Sequence, residues 1–293
     1  METLWIPVTL VCALSLATSD ALTKKALQVH GVYLVAWLRL LWALPLLFMT
    51  QLFVPLPRLD KEFYTTLLIA MPFELAAFIL YMKALKISPM SLTLPFLALT
   101  PVFLIVVPSI LLGERVTLSG AAGILLIAAG GYTLNIKDFR KGLLEPFAAV
   151  GRERGALYMM AVAVIYSFTA TLCKKVIIHS APVFAALAYY VLLFAMLIPI
   201  ALKTDGQNIR RLRLDRGALR ATIMPGLLDS VAIMTNMIAL SMTKTAYMVS
   251  VKRLSLLIGV LYGYYFFREK GIRERLAGTV LMLAGFVVIV LYS

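Results

Sequence analysis

Apolar residues gather into ten blocks separated by short polar connections: Leu4–Ala21, Val32–Phe53, Phe63–Leu85, Ser91–Leu112, Leu118–Leu134, Ala156–Leu172, Pro182–Leu202, Ala218–Leu240, Ala246–Phe267 and Leu276–Leu291. Each is about 20 residues long, enough to carry a helix across a hydrocarbon core roughly 30 Å thick. That core holds no water to satisfy an open backbone, so each block is expected to be helical. The expected fold is all-α, a polytopic membrane protein with ten transmembrane helices.

The longest polar stretch in mid-chain, Asn135 to Gly155, divides the blocks into five and five. The halves resemble each other at a shifting offset. Leu22-Thr23-Lys24-Lys25 aligns with Leu172-Cys173-Lys174-Lys175 at an offset of 150. Ala84-Leu85, Glu114-Arg115 and Ala122-Gly123 meet Ala239-Leu240, Glu269-Lys270 and Ala277-Gly278 at 155. An odd number of spans per half makes the two copies insert in opposite directions, an inverted-repeat architecture with a site near the midplane. The expected divisions are a first five-helix repeat over 1–135, a cytoplasmic linker over 136–154 and a second repeat over 155–293.

Composition sharpens this reading. The 293 residues are 62% hydrophobic and 14% charged, with a mean hydropathy of +0.93, against about a quarter charged in a soluble domain. The net charge of +14 would suggest nucleic acid in a soluble protein, but the basic residues concentrate in the connections, the signature of membrane topology. Apart from Arg39, Lys83, Lys252 and Arg253, which lie within spans, Lys and Arg divide 18 to 6 in favour of the connections after odd-numbered spans. That side is expected to be cytoplasmic in a cell (inner) membrane, with both termini outside. The first block has neither a basic n-region nor an A-x-A-like cleavage site, so it reads as a retained helix. Cys12, Cys173, His30 and His179 are too scattered for a disulfide framework or a metal site. No cofactor is implied. No G-x-x-x-x-G-K-[ST] loop for ATP appears, nor does a nucleophile–base constellation, so the chain is not expected to be an enzyme.

The chemistry lies in polar residues within the apolar blocks. Lys252 and Arg253 are adjacent in the ninth block, about 10 Å from its start near Thr245 at 1.5 Å per residue. A charge at membrane depth costs about 2.5 to 3.5 kcal/mol on insertion scales. One long side chain can snorkel to the interface, but neighbours point about 100° apart, so two are expected to face a wet cavity. Glu74 and Asp229 correspond at offset 155 and are expected to face the interior, either in ion pairs with Arg39 or Arg253 or as carriers of a coupling proton. Asn236 shares the face of Asp229. Arg39 reads equally as an interfacial residue beside Trp37 and Trp42 or as a site residue. Lys24 and Lys174 occupy matching positions at the ends of spans one and six, as topology charges or as a funnel to the site. Asp20 reads as an i, i+4 partner of Lys24. Pro95, Pro101 and Pro108 mark a kinked or flexing fourth span. Gly120, Gly123, Gly130 and Gly131 permit close helix contact, within the chain or in a homodimer.

The run Leu85-Lys86-Ile87-Ser88-Pro89, Thr100-Pro101-Val102-Phe103, Leu112-Gly113-Glu114-Arg115 and Ser119 to Gly130 resembles the EamA-type drug/metabolite transporter pattern. The second half repeats it more loosely in Phe267-Arg268-Glu269-Lys270 and Ala277-Gly278 to Ala284-Gly285. The resemblance implies ten spans and transport, with substrates ranging over amino acids, drugs, nucleotide sugars and sugar phosphates. Val251-Lys252-Arg253 is also similar to the ninth-span pair of plastid triose-phosphate/phosphate translocators, where the pair holds the substrate phosphate. Those proteins add a lysine in the fourth span, whereas Ser91–Leu112 has no Lys or Arg. Arg39, Lys24 or Lys174 would have to supply that charge.

Together these features describe a secondary transporter moving a small anionic metabolite, phosphorylated or carboxylated, by alternating access around a net-positive cavity. The expected partners are the lipid bilayer, the substrate, and a counter-substrate or proton, with no nucleic acid. Lys252, Arg253, Arg39, Lys24, Lys174 and Asn236 are the candidate binding residues, and Glu74 and Asp229 the coupling or ion-pair residues. The alternatives are a flippase of a lipid-linked phosphate, or an exporter of amino acids or drugs. The charge count predicts that the connection from Leu202 to Gly217 is cytoplasmic. A cysteine introduced at Asn208 should react with an impermeant reagent only after cells are permeabilised; ready labelling from outside would reverse the orientation.

Overall fold

A computed structural model of the chain describes residues 3–133, 154–210, 216–268 and 276–292. The expected linker over 136–154 lies outside these up to Arg154, as do Arg211, Arg213, Glu269 and Lys270. The helices are α1 (Trp5–Val29), α2 (Val32–Leu52), α3 (Lys61–Ile87), α4 (Met90–Thr93), α5 (Thr100–Leu111), α6 (Leu118–Thr133), α7 (Arg154–Ile178), α8 (Pro182–Arg210), α9 (Arg216–Met242), α10 (Thr245–Lys252), α11 (Ser255–Phe267) and α12 (Leu276–Tyr292). A 3₁₀ stretch, Leu94–Leu99, joins α4 to α5. Among the described residues, eight spans are long and apolar enough to cross a membrane, and two shorter apolar helices, Leu118–Thr133 and Gly278–Leu291, complete the set. The protein is a ten-helix polytopic membrane protein.

Its outside is apolar and its inside partly charged, the reverse of a soluble domain. Phe48, Leu68, Ile110, Tyr265, Phe266 and Val280 are exposed, where they meet lipid. Asp20, Arg39, Asp229 and Arg253 are buried, because an unpaired charge facing hydrocarbon would cost several kcal/mol.

Two spans are discontinuous, and the cause differs between them. In the fourth, Pro95 opens the 3₁₀ stretch and Pro101 opens α5, positions where the missing N–H of proline costs least. The ninth span contains no proline, yet its helix stops at Lys252 and restarts at Ser255. There Arg253 N–H is shared between Ser250 O at 3.0 Å and Val249 O at 3.2 Å, and Leu254 N–H reaches Val251 O at 3.0 Å, so the four-residue steps tighten to three. The continuous ninth helix expected from the apolar pattern is therefore broken at the basic pair. At the start of α3, Asp60 accepts a hydrogen bond from Phe63 N–H at 2.9 Å, a side-chain N-cap. That bond, with a second contact to His179, holds the Asp60 carboxyl below the ordinary range.

The principal pairings are α1 with α9, α3 with α7, α6 with α12, and α2 with both α8 and α9. Exchanging each span for the one five places away turns α1–α9 into α7–α3, and leaves α6–α12 and α2–α8 unchanged. The α6–α12 pair braces the broken spans from outside, touching the 3₁₀ stretch, α5 and α10. Its glycines serve this contact. A Cβ on Gly130 would lie 2.6 Å from Gly278 O and one on Gly285 2.6 Å from Gly123 O, so the backbones touch where only hydrogen fits. Gly120 and Gly131 face Tyr247 and Ala98 in the same way. Of the two readings of this stripe, contact within the chain or in a homodimer, the structure shows the contact within the chain.

Replacing Gly130 by leucine should force α6 and α12 apart and cost about 1 to 3 kcal/mol, the usual range for overpacking. The check is the melting temperature of the purified protein in detergent; a melting temperature equal to wild type would contradict this packing.

Candidate functional site

The helices enclose a cavity of about 160 Å³ near the middle of the bundle. It is lined by mid-helix residues of spans one, two, three, six, seven, eight and nine and by the middle of span four. Its charged residues fall into two groups that differ in how they are satisfied.

The first group centres on Arg39 of α2. One guanidinium nitrogen donates to Asp20 Oδ1 of α1 at 3.1 Å and to Thr23 Oγ1 at 3.3 Å; the other donates to Asp229 Oδ1 of α9 at 2.5 Å. Tyr81 of α3 donates to the second oxygen of Asp20, and Tyr190 of α8 donates to that of Asp229 at 2.9 Å. Five helices meet in this network. The approach of α2 to α9 rests on Gly226, three residues before Asp229, where a Cβ would lie 2.5 Å from Trp42 Cβ and 2.7 Å from Arg39 O.

Arg39 is 3% exposed, so it does not snorkel to an aromatic belt. Trp37 beside it stacks on Phe194 with centroids 5.4 Å apart. Of the two partners open to Asp229 in the sequence, the structure selects Arg39. Asp20 is not an intrahelical partner of Lys24. It turns to Arg39 and Tyr81.

The second group is Lys252 and Arg253, at the break between α10 and α11. Lys252 Nζ donates to Asn236 Oδ1 at 2.7 Å, and Arg253 donates to Thr100 Oγ1, at the start of α5, at 2.8 Å. Both partners are neutral. Among the described residues no carboxylate lies within 4.0 Å of either cation, and Arg253 Nε is buried with no partner at all. Arg253 is 3% exposed, which rules out an interfacial position. Glu74 of α3 also lines the cavity, with Thr169 and Lys252 near it, and it forms none of the ion pairs among the described residues.

The cavity therefore brings together Arg39, Glu74, Asp229, Asn236, Lys252 and Arg253. Lys24 and Lys174 are not among its lining residues. Lys24 Nζ donates to Leu85 O at 3.2 Å and Ser88 O at 2.6 Å; Lys174 Nζ donates to Leu240 O at 2.7 Å and Thr243 O at 2.6 Å. Each lysine satisfies carbonyls at the end of a neighbouring helix, where the helix dipole favours a cation. Both ends of this contact repeat, the lysines at offset 150 and the carbonyls at 155. Lys174 also pairs with Glu114 at 3.5 Å. Neither lysine supplies a third cation to the site, and Arg39 is committed to two aspartates.

Counting Asp20 with its network, the site holds three carboxylates (Asp20, Glu74, Asp229) and three cations (Arg39, Lys252, Arg253). The lining alone carries three cations and two carboxylates, and Asp20, paired with Arg39 outside the lining, brings the whole group to formal balance. Aromatic side chains, Phe78, Tyr81, Tyr166, Tyr189 and Tyr190, form much of the remaining wall and were not singled out in the sequence. One signal was available: Tyr81 stands 155 residues before Asn236, so both members of that repeat pair face the cavity. Among the described residues no cluster of three metal-ligating side chains occurs.

The sequence profile described as the EamA-like transporter family matches residues 3–136 and 153–291. One solved crystal structure of a protein superposes on 98% of this chain and 96% of its own length, with a TM-score of 0.71 at 14% sequence identity. At that identity the likeness concerns the fold alone. No curated protein matches the chain, and neither finding points to the triose-phosphate/phosphate translocators.

Arg39→Gln should leave Asp20 and Asp229 as buried, unpartnered charges, a loss of about 3 to 5 kcal/mol for a broken buried pair. Thermal denaturation in detergent will measure it. A variant as stable as wild type would show that the two carboxylates do not depend on Arg39.

Proposed function

Because the chain belongs to the EamA-like transporter family, a membrane transporter family of the drug/metabolite superfamily, we propose that its cavity binds a small anionic metabolite, phosphorylated or carboxylated. The protein would carry it across the bilayer by alternating access. One observation supports this reading above others. Lys252 and Arg253 project into the cavity with only neutral partners, although each cation's place in the membrane costs insertion energy. Guanidinium and ammonium groups form their strongest hydrogen bonds with carboxylate and phosphate oxygens.

Residues 1–135 and 155–293 are proposed to act as inverted repeats that rock about this site. The exchanged helix pairings and the repeated lysine-to-carbonyl contacts support that division. The side bearing the excess of Lys and Arg is proposed to face the cytoplasm.

A second reading is favoured by Glu74 and the aromatic wall. An amino acid would place its carboxylate on Lys252 and Arg253 and its ammonium on Glu74.

The test is a thermal-shift screen of the purified protein against phosphorylated and carboxylated metabolites and amino acids, since a ligand well above its dissociation constant stabilises by a few kcal/mol. For an anion that scores, Lys252→Gln and Arg253→Gln should each weaken binding by several-fold to a few hundred-fold, from about 1.5 to 3 kcal/mol per charge-assisted bond. Their unliganded melting temperatures should stay near wild type, because neither cation forms a salt bridge with a carboxylate among the described residues. Unchanged affinity in both variants would overturn the anion site.

A further inference from the structure

We infer that Glu74 is the proton carrier of this transporter, and that one proton bound there accompanies each anion into the cavity. This rests on the anion reading above.

The three carboxylates are not equivalent. Asp20 and Asp229 are each held by Arg39 and by a tyrosine hydroxyl, so protonating either one breaks a network that joins five helices. Glu74 is the cavity carboxylate that forms none of the ion pairs among the described residues. It can gain or lose a proton without releasing Arg39.

The groups around Glu74 set the sign of the coupling. Tyr166, Thr169 and Cys173 of α7, Tyr189 of α8 and Lys252 of α10 line the cavity with it. The one cation in that set is Lys252, which also belongs to the proposed anion site. Ionised Glu74 and an anion bound at that ammonium therefore repel each other within one cavity. With Glu74 ionised the site balances at three charges of each sign, and a monoanion makes it net negative. With Glu74 protonated, the site is short of one negative charge and the anion restores the balance.

By reciprocal linkage, the anion then raises the proton affinity of Glu74 as much as the proton raises that of the anion. Anion and proton load together from one side, the proton forming an O–H bond on the Glu74 carboxylate. On the other side both leave, the proton returning to water. The coupling is symport, and a proton gradient drives the anion with it.

The experiment is titration calorimetry of the purified full chain with sulfate and pyruvate, anions whose charge is constant between about pH 5.5 and about pH 8. Phenylalanine serves as the zwitterionic comparison. Wild-type affinity for the anions should rise as pH falls, by about tenfold per pH unit at most for one linked proton. Repeating the titration in buffers of different ionisation enthalpy should count about one proton taken up per anion bound. Glu74→Gln, which mimics the protonated acid, should bind the anions as tightly as wild type does at low pH, with no pH dependence and no proton uptake.

Pyruvate or sulfate bound with no proton uptake by wild type would overturn this inference and leave the anion site standing. The same holds if Glu74→Gln kept its pH dependence, because the titrating group would then lie elsewhere, as at Lys252. Failure of wild type to bind either anion at any pH would remove the anion reading itself. Phenylalanine binding that Glu74→Gln abolishes would assign Glu74 to an ammonium group instead. If Glu74→Gln does not fold, the proton count on wild type still tests the coupling: about one supports a proton taken up with each anion, and zero overturns the inference.

Discussion

A single guanidinium shared by two carboxylates from different helices organises this protein. Arg39 is buried where a lone charge would be costly, and it is kept there by Asp20 on one side and Asp229 on the other. Each carboxylate in turn accepts a tyrosine hydroxyl. The arrangement gives each charge an opposite partner and fixes α1, α2, α3, α8 and α9 around one point. Ion pairs of this kind contribute little net stability relative to an apolar core. Their effect is to exclude arrangements in which a member would lose its partner, which sets the register of the helices around the cavity.

Against that closed network stands an open one. Lys252 and Arg253 rest on an amide oxygen and a hydroxyl, neither of which neutralises charge, and Glu74 faces them from another helix. The repeat makes the contrast sharper. The position matching Lys252 at offset 155 is Leu97, which also lines the cavity, and the one matching Arg253 is Ala98. The cavity thus carries the basic pair at one of these two matching places only. A ligand held there is oriented toward the ninth span, beside the break where α10 gives way to α11.

Most of the fold was legible in the sequence because the bilayer imposes a simple rule: about 20 apolar residues, all helical. Ten spans follow from it, as do a Glu74, an Asp229, a Lys252 and an Arg253 that line the interior cavity. What escaped has a common cause, the reach of long side chains between helices, which no spacing along one helix records. Lys24 and Lys174 repeated faithfully, and the repetition suggested a site, yet it reflects a structural contact made once in each half. Asp20 had a local partner in Lys24 and chose a distant one in Arg39. The glycines of the fifth span signalled close packing but not that α12 was the partner. The break in the ninth span was hidden because no proline or glycine marks it.

The central claim is that the basic pair at that break is where the transported anion sits. Selenate, an anion with strong anomalous scattering, tests it without knowledge of the natural substrate. In crystals of the protein grown with selenate, the account predicts an anomalous peak in the cavity within hydrogen-bonding distance of Lys252 Nζ and the Arg253 guanidinium. Peaks confined to the basic connections at the membrane surface, with the cavity holding none, would contradict it.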